Sequence, residues 1–299
     1  YGSHKAFYEN PVLPIEQNLL QRILALAAKE AMEIHAWMWT MPNNNPAYIQ
    51  EHPDWYVVNR AGQPAHTHPA YVGYYKFMCP NHPEVREFLR RNVSFLASIP
   101  GLAGVHLDYI RMPDAILAEA LQPKYNLVQD KEYPEYDYCY CAHCREGFKA
   151  LTGKDPLTDL PDPTTDPQWR QFRYDSVTSL VNEVLAPAIH AEGKKASAAV
   201  FPNWESVRQQ WINWDLDAFF PMLYHNFYNA DIQWIGHQIS HFKSLLPASK
   251  QLHAGLFVPS LSPEDLIAAE VVAQQNGASG VSFFDYTAFT VDHWQKLSL

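Results

Sequence analysis

Residues 104–111 read GVHLDYIR. A β-strand sends successive side chains to opposite faces, so Gly104, His106 and Asp108 share one side and Val105, Leu107 and Tyr109 the other. The apolar side suits packing under helices. The opposite side offers room beside Gly104, an imidazole and, near the strand's end, a carboxylate. An ionised group resists leaving water, so a carboxylate held among aromatic residues without a task is costly. Asp108 is therefore read as functional; the competing reading is an ion pair with Arg111 or Arg173. The pattern recurs in residues 33–39, EIHAWMW, where His35, Trp37 and Trp39 share one face and Ile34, Ala36 and Met38 the other.

Outward from these two runs, strand-like and helix-like stretches alternate. Further strands are expected over residues 195–201, 216–224, 251–258 and 280–286. Helices are expected over 15–31, 83–98, 169–192, 232–245 and 263–276, with a helix-like piece at 204–211 and a short closing helix. Ser262 is a plausible N-cap. Buried strands separated by helices imply parallel βαβ units. No Gly-rich phosphate turn appears, which disfavours the doubly wound alternative. The expected fold class is α/β, a single (β/α)8 TIM barrel over residues 1–299. Because a loop and a helix come first, the six strands count as the third to the eighth, with two more expected before Tyr1. Residues 112–166 form a long insertion after the fourth strand.

Composition narrows the function. The formal net charge is -10, which argues against nucleic acid and anionic membrane as partners. No apolar run reaches the ~20 residues of a membrane span. The chain opens at Tyr1 rather than Met, so it is read as trimmed or processed; Gly2-Ser3-His4 is read as native. Aromatic residues make up 14% of the chain. Rings with polar tips suit the C–H faces and hydroxyls of sugars, and they also fill cores. Cys139, Cys141 and Cys144 form Cys-x-Cys-x-x-Cys in the insertion. With Cys79 or His143 they could bind zinc; a disulfide or free thiols are the rivals. The expected role is a staple for the loop, and the site itself is read without metal or cofactor.

In a TIM barrel the active site lies at the C-terminal ends of the strands. Aromatics around a strand-end carboxylate there suit glycoside hydrolysis, which usually needs a second carboxyl group. Glu205, beside Trp204 in FPNWES, and Asp285, at the end of the last strand, are the candidates; Asp114 is a loop-borne third. His35, Trp37, Trp39, His106, Arg111, Trp204, Tyr224, His225 and Tyr286 are the expected substrate contacts. Two rivals stand beside a hydrolase. One is a carbohydrate-binding barrel without catalysis. The other is a metal-dependent, amidohydrolase-like enzyme, suggested by His66-Thr67-His68 with His225 and Asp285 at strand ends. That pair would have to end the first strand, and here it follows a proline in a loop.

Several segments together resemble the glycosyl-hydrolase-like family ten barrel proteins. GVHLDYIRMP is similar to the family's DGIHLDYIRYP-type segment, and AKEAMEIHAWMW to its AHKRGIEVHAW stretch. HPDWYVVNRAGQ, CPNHPEVREFL and DLDAFFPMLY resemble later family segments, and YCYCAHCREGFKALTG a cysteine-bearing loop of some relatives. The resemblance spans most of the chain. It implies a (β/α)8 barrel, usually exported, that acts on or binds polysaccharide, with Asp108 matching the fourth-strand acid and two strands ahead of the segment matching Tyr1. It implies neither a second carboxylate nor a particular substrate, and the oligomeric state is left unknown.

Overall fold

The computed structural model describes residues 8, 9 and 15–297; Gly2-Ser3-His4 lies outside them. The centre is one six-stranded sheet in sequential order: β1 His35–Trp39, β2 Gly104–Asp108, β3 Lys195–Val200, β4 Ala218–Pro221, β5 Gln251–Phe257 and β6 Gly280–Phe284. Every neighbouring pair is parallel. Among the described residues β1 and β6 are its edges. The sheet curls enough for Trp37 of β1 and Phe284 of β6 to meet edge to face, with ring centroids 6.4 Å apart.

The pleat divides the strands as their alternation predicts. Val105, Leu107, Ala196, Ala198, Val200, Phe219, Leu252, Ala254 and Leu256 are fully buried and form the layer beneath the helices. That layer is covered by helices that return between strands. In chain order the helices are α1 Leu20–Lys29, α2 Pro46–Glu51, α3 Pro83–Ala97, α4 Ala142–Thr152, α5 Pro167–Leu180, α6 Ala186–His190, α7 Ile232–Leu245, α8 Pro263–Gln275 and α9 Val291–Leu297. Ser262 does cap α8, its hydroxyl accepting from the Asp265 N–H at 3.1 Å. None of the described helices is long and apolar enough to cross a membrane.

Boundaries differ from expectation where local chemistry ends an element. The first helix begins at Leu20, not Ile15. The β2 strand stops at Asp108 because Tyr109 adopts φ 51°, a left-handed turn that breaks the pleat. The helix expected over 169–192 is α5 and α6 joined by a wider turn at Val181–Leu185, just before Pro187. Residues 204–211 contain only the short turn Trp204–Val207, followed by another at Trp211–Asn213.

Two long connections wall the C-terminal end of the sheet: residues 40–82 after β1 and 109–166 after β2. They are sewn together by backbone bonds, Tyr140 N–H to Val58 O at 2.7 Å and Arg60 N–H to Asp137 O at 2.9 Å. Beneath that seam Asp137 is fully buried among arginines. Arg173 and Tyr140 (2.6 Å) hydrogen-bond its carboxylate, and Arg208 (3.5 Å) and Arg60 (3.6 Å) stand beside it. The partner imagined for Asp108, Arg173, is thus committed elsewhere.

Candidate active site

Strand register sets the height of each residue. His35 pairs with Gly104, Trp37 with His106, and Trp39 with Asp108. At about 3.3 Å per residue, His35 lies roughly 13 Å below Asp108 along the strand. It sits on the floor, 3.3 Å from Glu33 and packed over Gly104. A Cβ at Gly104 would lie 2.5 Å from His35 Nδ1 and 2.4 Å from Lys195 O, so only glycine fits there. His106 occupies the middle tier. Its Nδ1 is 2.9 Å from Ser197 Oγ and its ring stands edge-on to Phe220 at 5.0 Å. Burial, with His35 below it, pushes its pKa down to about 4, so the ring is neutral at ordinary pH.

Asp108 is at the top, 9% exposed. Trp37 Nε1–H donates to its Oδ2 at 3.0 Å, and the Tyr109 N–H donates to its Oδ1 at 2.7 Å. The left-handed turn at Tyr109 accompanies the second bond. Burial raises the Asp108 pKa above the ordinary carboxylate range, against the smaller opposing pull of those two donors and of Arg111. Arg111 is not its partner: it is sealed beneath the mouth and bridges Asp114 at 3.0 Å. It also donates to the Tyr75 hydroxyl at 3.2 Å and lies against the rings of Phe77, Tyr109 and Phe201. This is a buried strut under the aromatic wall, and Asp114 is spent in it.

The wall itself is continuous. Trp39 contacts Tyr109 at 4.7 Å and Tyr74 at 5.5 Å; Tyr74 contacts Tyr75 at 5.2 Å. Across the mouth, Tyr224 meets Phe257 at 5.1 Å and Phe284 at 6.2 Å. Trp37 remains 45% exposed between the two groups and is the ring most open to a ligand. Burial foremost, and then the negative charges of both Asp108 and Asp285, push the Tyr224 phenol pKa upward. Tyr224 stacks on Phe284, the residue that precedes Asp285. Continued alternation would set Asp285 beside Val281 and Phe283, but β6 ends at Phe284. Asp285 instead begins a turn, where the Thr287 N–H (2.8 Å) and hydroxyl both donate to its Oδ1.

The other expected contacts separate from this group. Glu205 is exposed on the turn after β3, and Trp204 packs edge-on against Tyr174 at 5.2 Å. His225 is partly buried on the turn after β4, and burial lowers its pKa. Tyr286 is 76% exposed and packs on Trp294 at 5.8 Å. Sequence reasoning had not singled out Tyr74, Tyr75 or Tyr228. The signal was present in YVGYYKF at residues 71–77, a tyrosine-rich loop with little helix or strand periodicity. Tyr228, whose hydroxyl donates to Asn203 Oδ1 at 2.9 Å, lies on a short turn that carries no pattern. Among the described residues, His66 and His68 join no group of metal-ligating side chains with His225 or Asp285.

The parallel sheet and its returning helices place the chain in the TIM-barrel class found among glycosidases. The glycoside hydrolase domain of PgaB (BpsB) from Bordetella bronchiseptica superposes with a TM-score of 0.70 at 15% identity, over 99% of this chain and 82% of that one. A class V chitinase from Pseudomonas fluorescens gives a TM-score of 0.47 at 12% identity, covering 93% of this chain and 83% of its own. The family profile for glycosyl hydrolase-like 10 proteins matches residues 12–242, and the chain belongs to that family. No curated protein matches the sequence.

Proposed function

We propose that this protein is a glycoside hydrolase acting on an oligosaccharide or polysaccharide, with Asp108 as its central acid. The observation that carries the reading is a buried carboxylate, unpaired with any arginine and raised in pKa, at the foot of an aromatic mouth. A carboxyl group that keeps its proton toward neutrality can donate it to a departing glycosidic oxygen. Trp37 orients that carboxyl through its indole N–H and offers its exposed ring face to a sugar. Asp285, across Tyr224, is the second carboxylate and serves the anomeric carbon; Glu205, exposed on its turn, is the less well-supported choice. The substrate class and the family resemblance support an exported protein.

The test is Asp108→Asn. Turnover on a panel of polysaccharides should fall by about 10²–10⁴-fold, the usual contribution of a positioned acid, while sugar binding persists. Full activity in that variant would remove Asp108 from the mechanism. The rival, a sugar-binding barrel without cleavage, draws on the same rings and on the exposure of Glu205. Binding with no turnover in the unaltered protein would establish it.

A further inference from the structure

The cysteine motif of the 109–166 segment takes no part in the chemistry proposed at Asp108. In the fold, Cys139, Cys141 and Cys144 are joined by Cys79 from the end of the other long connection, and all four are buried. Their sulfurs lie within 4.8 Å of one another. Cys79 Sγ is 3.5 Å from Cys144 Sγ and 3.4 Å from Cys141 Sγ. Neither of these distances approaches the ~2.05 Å of a disulfide. They fall close to the edge of a tetrahedron around a zinc ion, about 3.8 Å for Zn–S bonds of about 2.3 Å.

We propose that these four cysteines form a structural zinc site that clamps the two connections walling the mouth. A second observation points the same way: N–H donors are aimed at the sulfurs. Asn81 Nδ2 donates to Cys144 Sγ at 3.3 Å and is itself 2.8 Å from Ser176 Oγ. The Cys141 N–H donates to Cys139 Sγ at 3.4 Å. Such donors stabilise thiolate ligands in closed metal sites. The histidine that the sequence offered as a fourth ligand, His143, is occupied otherwise. Its ring packs on His82 at 4.3 Å, and His82 Nε2 is 3.1 Å from Asp54 Oδ2. Four sulfurs fill a tetrahedral shell, so the ion has no open position for substrate and its role is mechanical. On binding, each thiol loses its proton to solvent and its sulfur becomes a ligand, with no change of oxidation state.

The clamp acts where the wall needs it. Cys79 follows Phe77, whose ring lies under Arg111, and the Cys79 N–H bonds to Trp55 O at 2.7 Å. Cys141 opens α4 and follows Tyr140, which bonds Asp137. Fixing the four sulfurs anchors the end of the connection that carries Tyr74 and Tyr75.

The experiment is elemental analysis of the full chain purified under reducing conditions without chelator. About one zinc per chain is expected, released by a mercurial thiol reagent, and replaced on cobalt(II) exchange by the intense visible bands of tetrahedral cobalt thiolate. Trace metal only, a stoichiometric metal other than zinc, or disulfides among these cysteines in non-reducing mass spectrometry would overturn the proposal. Cys79→Ser should lose the ion. Because that variant can fail to fold, His143→Ala is its companion: it should keep the full zinc load, and loss of metal there would overturn the four-sulfur assignment.

Discussion

Asp108 and Asp137 are both buried acids near the C-terminal end of the same sheet, and they differ in every respect that decides a carboxylate's use. Burial alone would raise both. Around Asp137 the charges of Arg173 and Arg208, with the Tyr140 hydroxyl, overturn that effect and hold the pKa below the usual carboxylate value. Around Asp108 two neutral N–H donors and a distant Arg111 do not, and the pKa stays raised. The first acid is fully compensated and serves as a rivet between the 109–166 segment, α5 and the turn after β3. The second is held at a free-energy cost that reactivity explains better than stability does.

Exchange of roles gives the sharpest way to break this contrast. Beside the loss of turnover expected of Asp108→Asn, Asp137→Ala should cost about 3–5 kcal/mol of stability, because it strands buried guanidinium groups. Denaturant unfolding of the two variants would measure it. Equal destabilisation by both would erase the distinction.

The two acids also titrate with opposite sign. Asp137 has a lowered folded pKa, so its contribution is present above the unfolded value and is lost as pH falls below about 4. Asp108 has a raised folded pKa, so its contribution is present below the unfolded value and is lost as pH rises through the folded one. His106 adds to the acid side. Its stabilising contribution, up to about 3 kcal/mol, is present above pH 6.5 and is lost as pH falls from 6.5 toward its folded value of about 4. His106→Gln should flatten the stability profile over that interval in thermal melts; an unchanged slope would show that the imidazole does not titrate there.

The smallest effect sharpens the comparison at Asp108 itself. On the proposed role as acid, the protonated form of Asp108 is the active one, so kcat/KM should fall as pH rises through the raised pKa. Trp37→Phe removes the 3.0 Å hydrogen bond that favours the ionised carboxylate. The alkaline limb of the profile should therefore move to higher pH by a fraction of a unit, about 1 kcal/mol or less. Movement to lower pH would mean that the indole acts otherwise.

Much of this was legible in the sequence, for a physical reason. Strand alternation is local, so GVHLDYIR and EIHAWMW disclosed which side chains face inward, and Asp108 with Trp37 and Trp39 came together as expected. Height along a strand is also local, yet it needs the partner's register. His35 shared the right face and still lies on the floor. Asp285 was chosen for its place at the end of the last strand, and the turn it begins, not the alternation of the strand, sets its direction. Glu205, His225 and Tyr286 were placed by nearness to strand ends, and turns direct such residues in ways that no period reveals. The Asp137 cluster was least visible, because it joins segments far apart in the chain, whereas Cys79 was already named beside His143 as a partner for the other cysteines and the fold chooses between the two.

Gly104 carries a consequence for variation. Its missing side chain lets the first two strands approach around an imidazole, and the spacing set there passes rung by rung up to the pair Trp39 and Asp108. The lower end thus works as a gauge for the upper one. Changes in specificity can be accommodated in the connecting loops without disturbing it, whereas one added methyl group at this glycine would misalign the acid from roughly 13 Å away.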